Sequence, residues 1–174
     1  PAEYMAAVLS NNMNDIKSVT FFMEECKRMK LNVLGPDVNE SYYKFSVNQK
    51  NEIRFGMGAV KGVGANAVAT IVTNRKEDGN YNSIFDLAKR SDLRAANKKA
   101  VDNLAASGAF DCFSNVHRSQ YFNDDGDGIT FLEKTIRHAS KYQENINSAQ
   151  VSLFENSSEI QFAEPIIPSC NEWD

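Results

Sequence analysis

Residues 55–72 read FGMGAVKGVGANAVATIV, so Gly56, Gly58, Gly62 and Gly64 stand directly before a strongly apolar, helix-like run. Glycine lets backbone amides approach an anion closely, and the amides that open a helix carry the positive end of its dipole. A glycine turn feeding a helix is therefore a natural phosphate seat. Two of the familiar versions fail by counting. The dinucleotide fingerprint needs G-x-G-x-x-G, but after Gly56 and Gly58 the next glycine, Gly62, comes one residue late. The P-loop needs Gly-Lys-Ser/Thr, and here Lys61 precedes Gly62.

What remains is a short helical MGAV, then Gly62-Val63-Gly64, then a helix carrying Val68 and Val72, which resembles a helix-hairpin-helix motif. Gly62 and Gly64 permit a tight hairpin whose amides face the phosphates of one DNA strand, Val63 plugs the space between the helices, and Lys61 adds charge. Such a site binds backbone without choosing sequence. The same glycines also read as a helix C-cap joining two packed helices. The following FDLAKRSDLRAANKKAVDNLAASGAFD looks like a second, degenerate half of a tandem pair. Its turn lacks glycine, but Arg90, Arg94, Lys98 and Lys99 lie nearby, either as DNA contacts or as a solvated face.

Net charge is −4 overall, which argues weakly against a nucleic-acid partner, but it divides unevenly. Lys/Arg against Asp/Glu count six to six in residues 1–50, ten to seven in 51–120 and three to ten in 121–174, or 0, +3 and −7. The basic third holds the glycine turn. Cys26, Cys112 and Cys170 are odd in number and show no C-x-x-C, so neither a disulfide framework nor zinc is expected, and the compartment reads as reducing and cytoplasmic. No stretch approaches the roughly 18 consecutive apolar residues of a membrane span. The opening PAEYMAAVL has no signal-peptide flank and begins as though continued from something longer.

The periodicity predicts a mainly α fold. PAEYMAAVL forms one helix, and DIKSVTFFMEECKRMK a second, capped by Asn14, with Ile16, Val19, Phe22, Met23, Cys26 and Met29 at helical spacing. LNVLGPDV reads as extended, and a small β-hairpin is expected near residues 44–56. Ser83 with Asp86 opens SIFDLAKR as a capping box, Asn97 caps KKAVDNLAA, and Gly108 stops it. TFLEKTIRHASKYQENI is a last helix before a flexible C-terminal tail rich in Ser, Glu, Pro and Asn. NDDGDGITFLEK imitates a calcium loop, but its twelfth position is Lys134 where a bidentate Glu is required. Around His117 and His138 the sequence shows no evident Ser, Cys or carboxylate arrangement, so no catalytic site and no metal site are expected.

Gln150 to Phe154, QVSLF, is an apolar patch in a polar, acidic surround and resembles the bacterial sliding-clamp-binding pentapeptide Gln-x-x-Leu/Met-Phe. Gln150 would meet a polar subsite, and Leu153 and Phe154 would fill an apolar one. Taken in order, PAEYMAAVL, LNVLGPDVNES, IRFGMGAVKGVG, SIFDLAKRSDLR, NKKAVDNLAASGAFD, HRSQYF and QVSLF resemble the alpha subunit family of bacterial DNA polymerase III over essentially the whole chain. That resemblance implies the end of a fingers domain (1–50), a tandem helix-hairpin-helix domain (51–148), and a clamp-binding motif with a linker toward a missing OB-fold (149–174). It implies a noncatalytic piece of a DNA-directed DNA polymerase whose magnesium-holding carboxylates lie upstream, so no cofactor is expected here. Its implied partners are double-stranded DNA, the sliding clamp (beta subunit) and other holoenzyme subunits, with no membrane. The DNA-binding residues would be Lys61, Gly62, Val63, Gly64, Arg94, Lys98 and Lys99. The family's pattern is departed from at Gly35, where a second proline is common, and at Glu155, where glycine is frequent. The alternative reading is a tandem helix-hairpin-helix module of a DNA repair protein, and a third is an interaction scaffold without a DNA role.

Overall fold

A computed structural model describes residues 1–91, 98–124, 126–151 and 163–170, with the last helix described by backbone alone beyond Ile146. The fold is mainly α with one small sheet. Helices α1 (Ala2–Asn11) and α2 (Ile16–Arg28) pack together. The cap of α2 is Asp15 rather than Asn14: its carboxylate accepts from Lys17 N at 3.1 Å and from Ser18 Oγ at 2.6 Å, binding the first turn twice. Val19 and Cys26 are buried as their spacing predicts, whereas Ile16 and Met29, at the two ends of the helix, stay exposed.

Strands β1 (Val33–Leu34), β2 (Ser46–Val47) and β3 (Ile53–Arg54) form a sheet in the order β1-β3-β2. The expected hairpin is β2–β3, paired antiparallel with Val47 opposite Ile53, and the extended LNVLGPDV supplies β1, which joins β3 in parallel. Asn48 organises the intervening turn by accepting from Lys50 N and Glu52 N, both at 3.0 Å. Met5, Leu9, Val19, Cys26, Phe45 and Ile53 form one buried cluster under this layer.

A larger cluster holds the rest together. Helix α3 (Ala65–Asp78), α4 (Ile84–Arg90), α5 (Lys98–Ala106) and α6 (Phe131–Val151) bury Ile71, Leu87, Leu104, Phe131 and Leu132 around Phe110 and Tyr121. Each such side chain contributes roughly 1.5–3 kcal/mol of hydrophobic stabilisation. The Ser83 hydroxyl caps α4 by accepting from Asp86 N at 3.1 Å, while the Asp86 carboxylate reaches one residue further back than a capping box requires, to Asn82 N. Gly108 ends α5 as expected: at φ +87° it lets Ala109 N reach Leu104 O and Gly108 N reach Ala105 O, a Schellman closure. Asn97, the expected cap of α5, lies outside the described residues. After the described part of α6, residues 163–170 lie against the body without regular secondary structure. Glu164 pairs with Lys89 at 2.5 Å, Ile167 packs on the larger cluster, and Gln120 donates to Pro168 O. Among the described residues no helix is long and apolar enough to cross a membrane.

Candidate nucleic-acid interface

The four glycines of the opening motif have separate physical jobs. A Cβ on Gly56 would stand 2.5 Å from the backbone of Lys44, and one on Gly58 would stand 2.4 Å from the Tyr43 ring. These two let the short 3-10 turn Met57–Ala59 lie directly on residues 42–45, where Met57 N donates to Tyr42 O at 2.8 Å and Gly58 N to Tyr43 O at 2.9 Å. They belong to the packing, not to a ligand. Gly62 instead has φ +79°, the left-handed region that glycine enters without steric cost. Gly64 has ordinary extended backbone, and nothing lies within 4 Å of where its Cβ would be.

The hairpin itself is closed by Val63 N donating to Val60 O at 3.1 Å, and Val63 is buried in the larger cluster, as a plug between helices must be. Lys61, Gly62, Gly64, Ala65 and Asn66 are all exposed. Gly64 is the N-cap of α3 and offers no side-chain oxygen, and the first helical bond of α3 runs from Val68 N to Gly64 O. The amides of the first turn therefore face solvent at the positive end of a 14-residue helix.

Helix α5 braces this hairpin, a contact the sequence did not announce. Asn103 donates from Nδ2 to Lys61 O at 2.6 Å and lies 3.2 Å from where a Cβ on Gly62 would be; Lys99 Cγ lies 4.0 Å from the same point. So Lys61 and Lys99, 38 residues apart in sequence, flank one backbone turn. Sequence spacing carried no signal for Asn103, a polar residue on a helix like many others.

The remaining cations behave differently. Lys98 turns to α6 and pairs with Glu133 at 2.5 Å, and Arg137 pairs with the same carboxylate at 2.5 Å. The hydrogen bond from Lys98 holds the Glu133 carboxyl below its ordinary range and pushes the Lys98 ammonium up. Partial burial pushes the nearby Asp102 carboxyl up. Arg90 is not a surface charge. It donates to Asn74 O at 2.9 Å, to Gly79 O at 2.8 Å and to Asp86 at 3.2 Å, and it lies 4.4 Å from the Tyr81 ring centre, locking the end of α3 to α4. Arg94 falls outside the described residues, as do Leu153 and Phe154. Gln150 is described by backbone only, within the last turn of α6, so the helix runs into the apolar pentapeptide instead of ending before it.

The calcium-like loop is organised by protein groups. Asp127 accepts from Ile129 N at 2.9 Å and pairs with Lys134 at 2.9 Å, so an ammonium meets the loop's carboxylate from the expected Glu position. His117 caps the 3-10 turn Arg118–Phe122, accepting from Ser119 N, while Gln120 accepts from His117 N at 2.6 Å; this is a structural job. Among the described residues no three His, Cys, Asp or Glu side chains converge where a metal ion could be held.

A hairpin with a left-handed glycine, a buried apolar plug and an uncapped helix start flanked by lysines defines a class, and the comparison with known families agrees. Residues 30–121 match the helix-hairpin-helix motif family, and the chain belongs to it. Among individual proteins it is similar to DNA polymerase III subunit alpha of Escherichia coli K12, with 40% identity over 129 residues, 74% of this chain and 11% of that one. The subunit from Haemophilus influenzae is 35% identical over 154 residues (88% and 13%), and that from Pseudomonas aeruginosa 42% over 111 residues (64% and 10%). The chain thus spans about a tenth to an eighth of the length of these relatives.

Proposed function

We propose that this chain grips duplex DNA by its phosphate backbone as part of a replicative DNA polymerase and ties that polymerase to its sliding clamp. The observation that carries the first half is the hairpin 60–64, exposed at Lys61, Gly62 and Gly64, at the uncapped start of α3 and flanked by Lys61 and Lys99. Backbone amides and two ammonium groups recognise phosphates and carry no base information, so binding is independent of sequence. The second half rests on Gln150, Leu153 and Phe154 as a short anchor. A weak peptide contact and a weak DNA contact become durable when they are linked and geometrically compatible. As the family resemblance implies, the polymerising carboxylates lie outside this chain, and the chain by itself positions and tethers without catalysing. A repair-protein module would share the hairpin but not the clamp anchor.

Three measurements test this reading. Anisotropy titrations with unrelated duplexes should give equal affinities that fall steeply with salt. The double substitution Leu153→Ala, Phe154→Ala should leave duplex binding intact and weaken capture by a bacterial sliding clamp several hundredfold, the size expected for two anchors at about 2 kcal/mol each. Primer extension should show no template-dependent incorporation. Unchanged clamp capture in the double variant would remove the tethering half, and salt-independent or absent duplex binding would remove the other.

A further inference from the structure

A groove lies at the opposite end of α3 from the hairpin, between the β2–β3 turn and residues 39–42. Its volume is about 720 Å³, well inside the range of small-ligand sites. Leu34 and Val47 give it an apolar strip, and Gln49 and Lys50 stand exposed at its rim. Tyr42 borders it with 44% of its surface exposed, an aromatic left in solvent beside a polar cleft.

Two cations from the end of α3 lie over that ring. The Arg75 guanidinium lies 5.1 Å and the Lys76 ammonium 5.7 Å from its centre. Arg75 is 8% exposed and fixed in place, donating to Val38 O at 2.7 Å and Ser41 O at 3.1 Å, whereas Lys76 is exposed. Of the two acids in the wall, Glu40 is neutralised by Arg54 and Glu52 is held by the Asn32 and Asn48 amides. In the wall Lys50, Arg54 and Arg75 stand against Glu40 and Glu52, a net charge of +1, with Lys76 outside the wall but over the Tyr42 ring. A ring held by cations from α3 yet 44% exposed, at the edge of a cleft rich in hydrogen-bonding groups, is an arrangement that can seat an unpaired base and its phosphate; a bare anion would not need the ring.

We propose that this groove holds an unpaired nucleotide of a DNA strand, its base on Tyr42 and its phosphate toward Lys50 and Lys76. Lys76 is 12 residues beyond Gly64, about 18 Å along α3, the length of roughly five base-pair steps. A single strand leaving a duplex held at the hairpin could therefore reach it. The proposal rests on the duplex-binding reading only for that continuity, since the groove's own chemistry accepts a single strand alone.

The test is anisotropy with a short labelled oligothymidylate and, separately, a blunt duplex. Tyr42→Ala should weaken the oligothymidylate about tenfold, the size of one lost base–aromatic stack, and Tyr42→Phe should restore it. Lys76→Glu, at an exposed position, should weaken it without unfolding the chain, and neither variant should change blunt-duplex binding. Lys61→Ala should do the reverse. If Tyr42→Ala and Lys76→Glu, both with native circular dichroism, bind oligothymidylate like the unaltered chain, the groove is not a nucleotide site. It is equally not one if the unaltered chain binds the blunt duplex but not oligothymidylate. Loss of duplex binding alone would instead overturn the hairpin reading and leave the groove standing.

Discussion

Alanine at Gly62 and alanine at Gly64 should have opposite consequences, although the two positions are separated by a single residue. At Gly62 the backbone sits at φ +79°, where an L side chain costs roughly 1–2 kcal/mol. The new Cβ would also stand 3.2 Å from Asn103 Nδ2, close enough that the amide must yield and loosen its 2.6 Å bond to Lys61 O, worth about 1 kcal/mol net. The sum is about 2–3 kcal/mol, and at about 2–4 °C per kcal/mol for a chain of this size the melting temperature should drop by roughly 4–12 °C. Gly64 meets nothing within 4 Å and has ordinary extended backbone, so alanine there costs only its weaker N-capping, under about 1 kcal/mol. Yet its methyl group would project beside the first-turn amides of α3, where the proposed function brings a phosphate. Differential scanning fluorimetry and duplex anisotropy on both variants separate the two effects. Gly64→Ala should melt within about 3 °C of the unaltered chain and bind duplex about tenfold more weakly. Duplex affinity unchanged in Gly64→Ala would show that no phosphate sits at α3, and an unchanged melting temperature in Gly62→Ala would refute the steric account of the hairpin.

Glu133→Gln should release Lys98 and Arg137, steepening the salt dependence of duplex binding by up to about one unit; an unchanged slope would mean that Lys98 does not reach DNA. Because Lys98 holds the Glu133 carboxyl below its ordinary 4.5, that group favours the folded state above this pH and loses its contribution as pH falls through the lowered value. Acid melting curves below about pH 4.5 should therefore be shallower in Glu133→Gln. Asn103→Ala should weaken duplex binding while leaving its salt slope unchanged, since it removes a brace rather than a charge, and a flattened slope would contradict that role. Arg90→Met should cost about 2–3 kcal/mol of stability through its lost carbonyl and carboxylate bonds and leave the duplex affinity of the folded fraction intact; loss of affinity alone would return Arg90 to the DNA surface.

The helices of this chain could be read from its sequence because their causes are local. Apolar residues three and four apart, a Ser83 hydroxyl beside the Asp86 amide, and a glycine at 108 that closes α5 all act within one or two turns. The displaced cap at Asp15 marks the limit of that reading, since Asn14 and Asp15 are both capping residues and only the backbone angles decide between them. The Gly62-Val63-Gly64 hairpin was legible for the same reason, and so was the lysine at 61.

The cations were not legible, because lysines and arginines on helices look alike until their distant partners are known. Lys98, Lys99 and Arg90 lie within ten residues of one another, yet Glu133 takes the first, the second stands by Gly62, and carbonyls at 74 and 79 absorb the third. The glycines of the motif divide the same way: Gly56 and Gly58 answer to residues 42–45, at least 11 positions upstream, while Gly62 owes its φ of +79° to its own turn. Local chemistry, acting over a few residues, determined which elements form and where the glycine hairpin begins. Which side chains flank that hairpin was decided by the packing of α5 against it across about 40 residues of chain, a long-range contact that leaves no periodic trace in sequence.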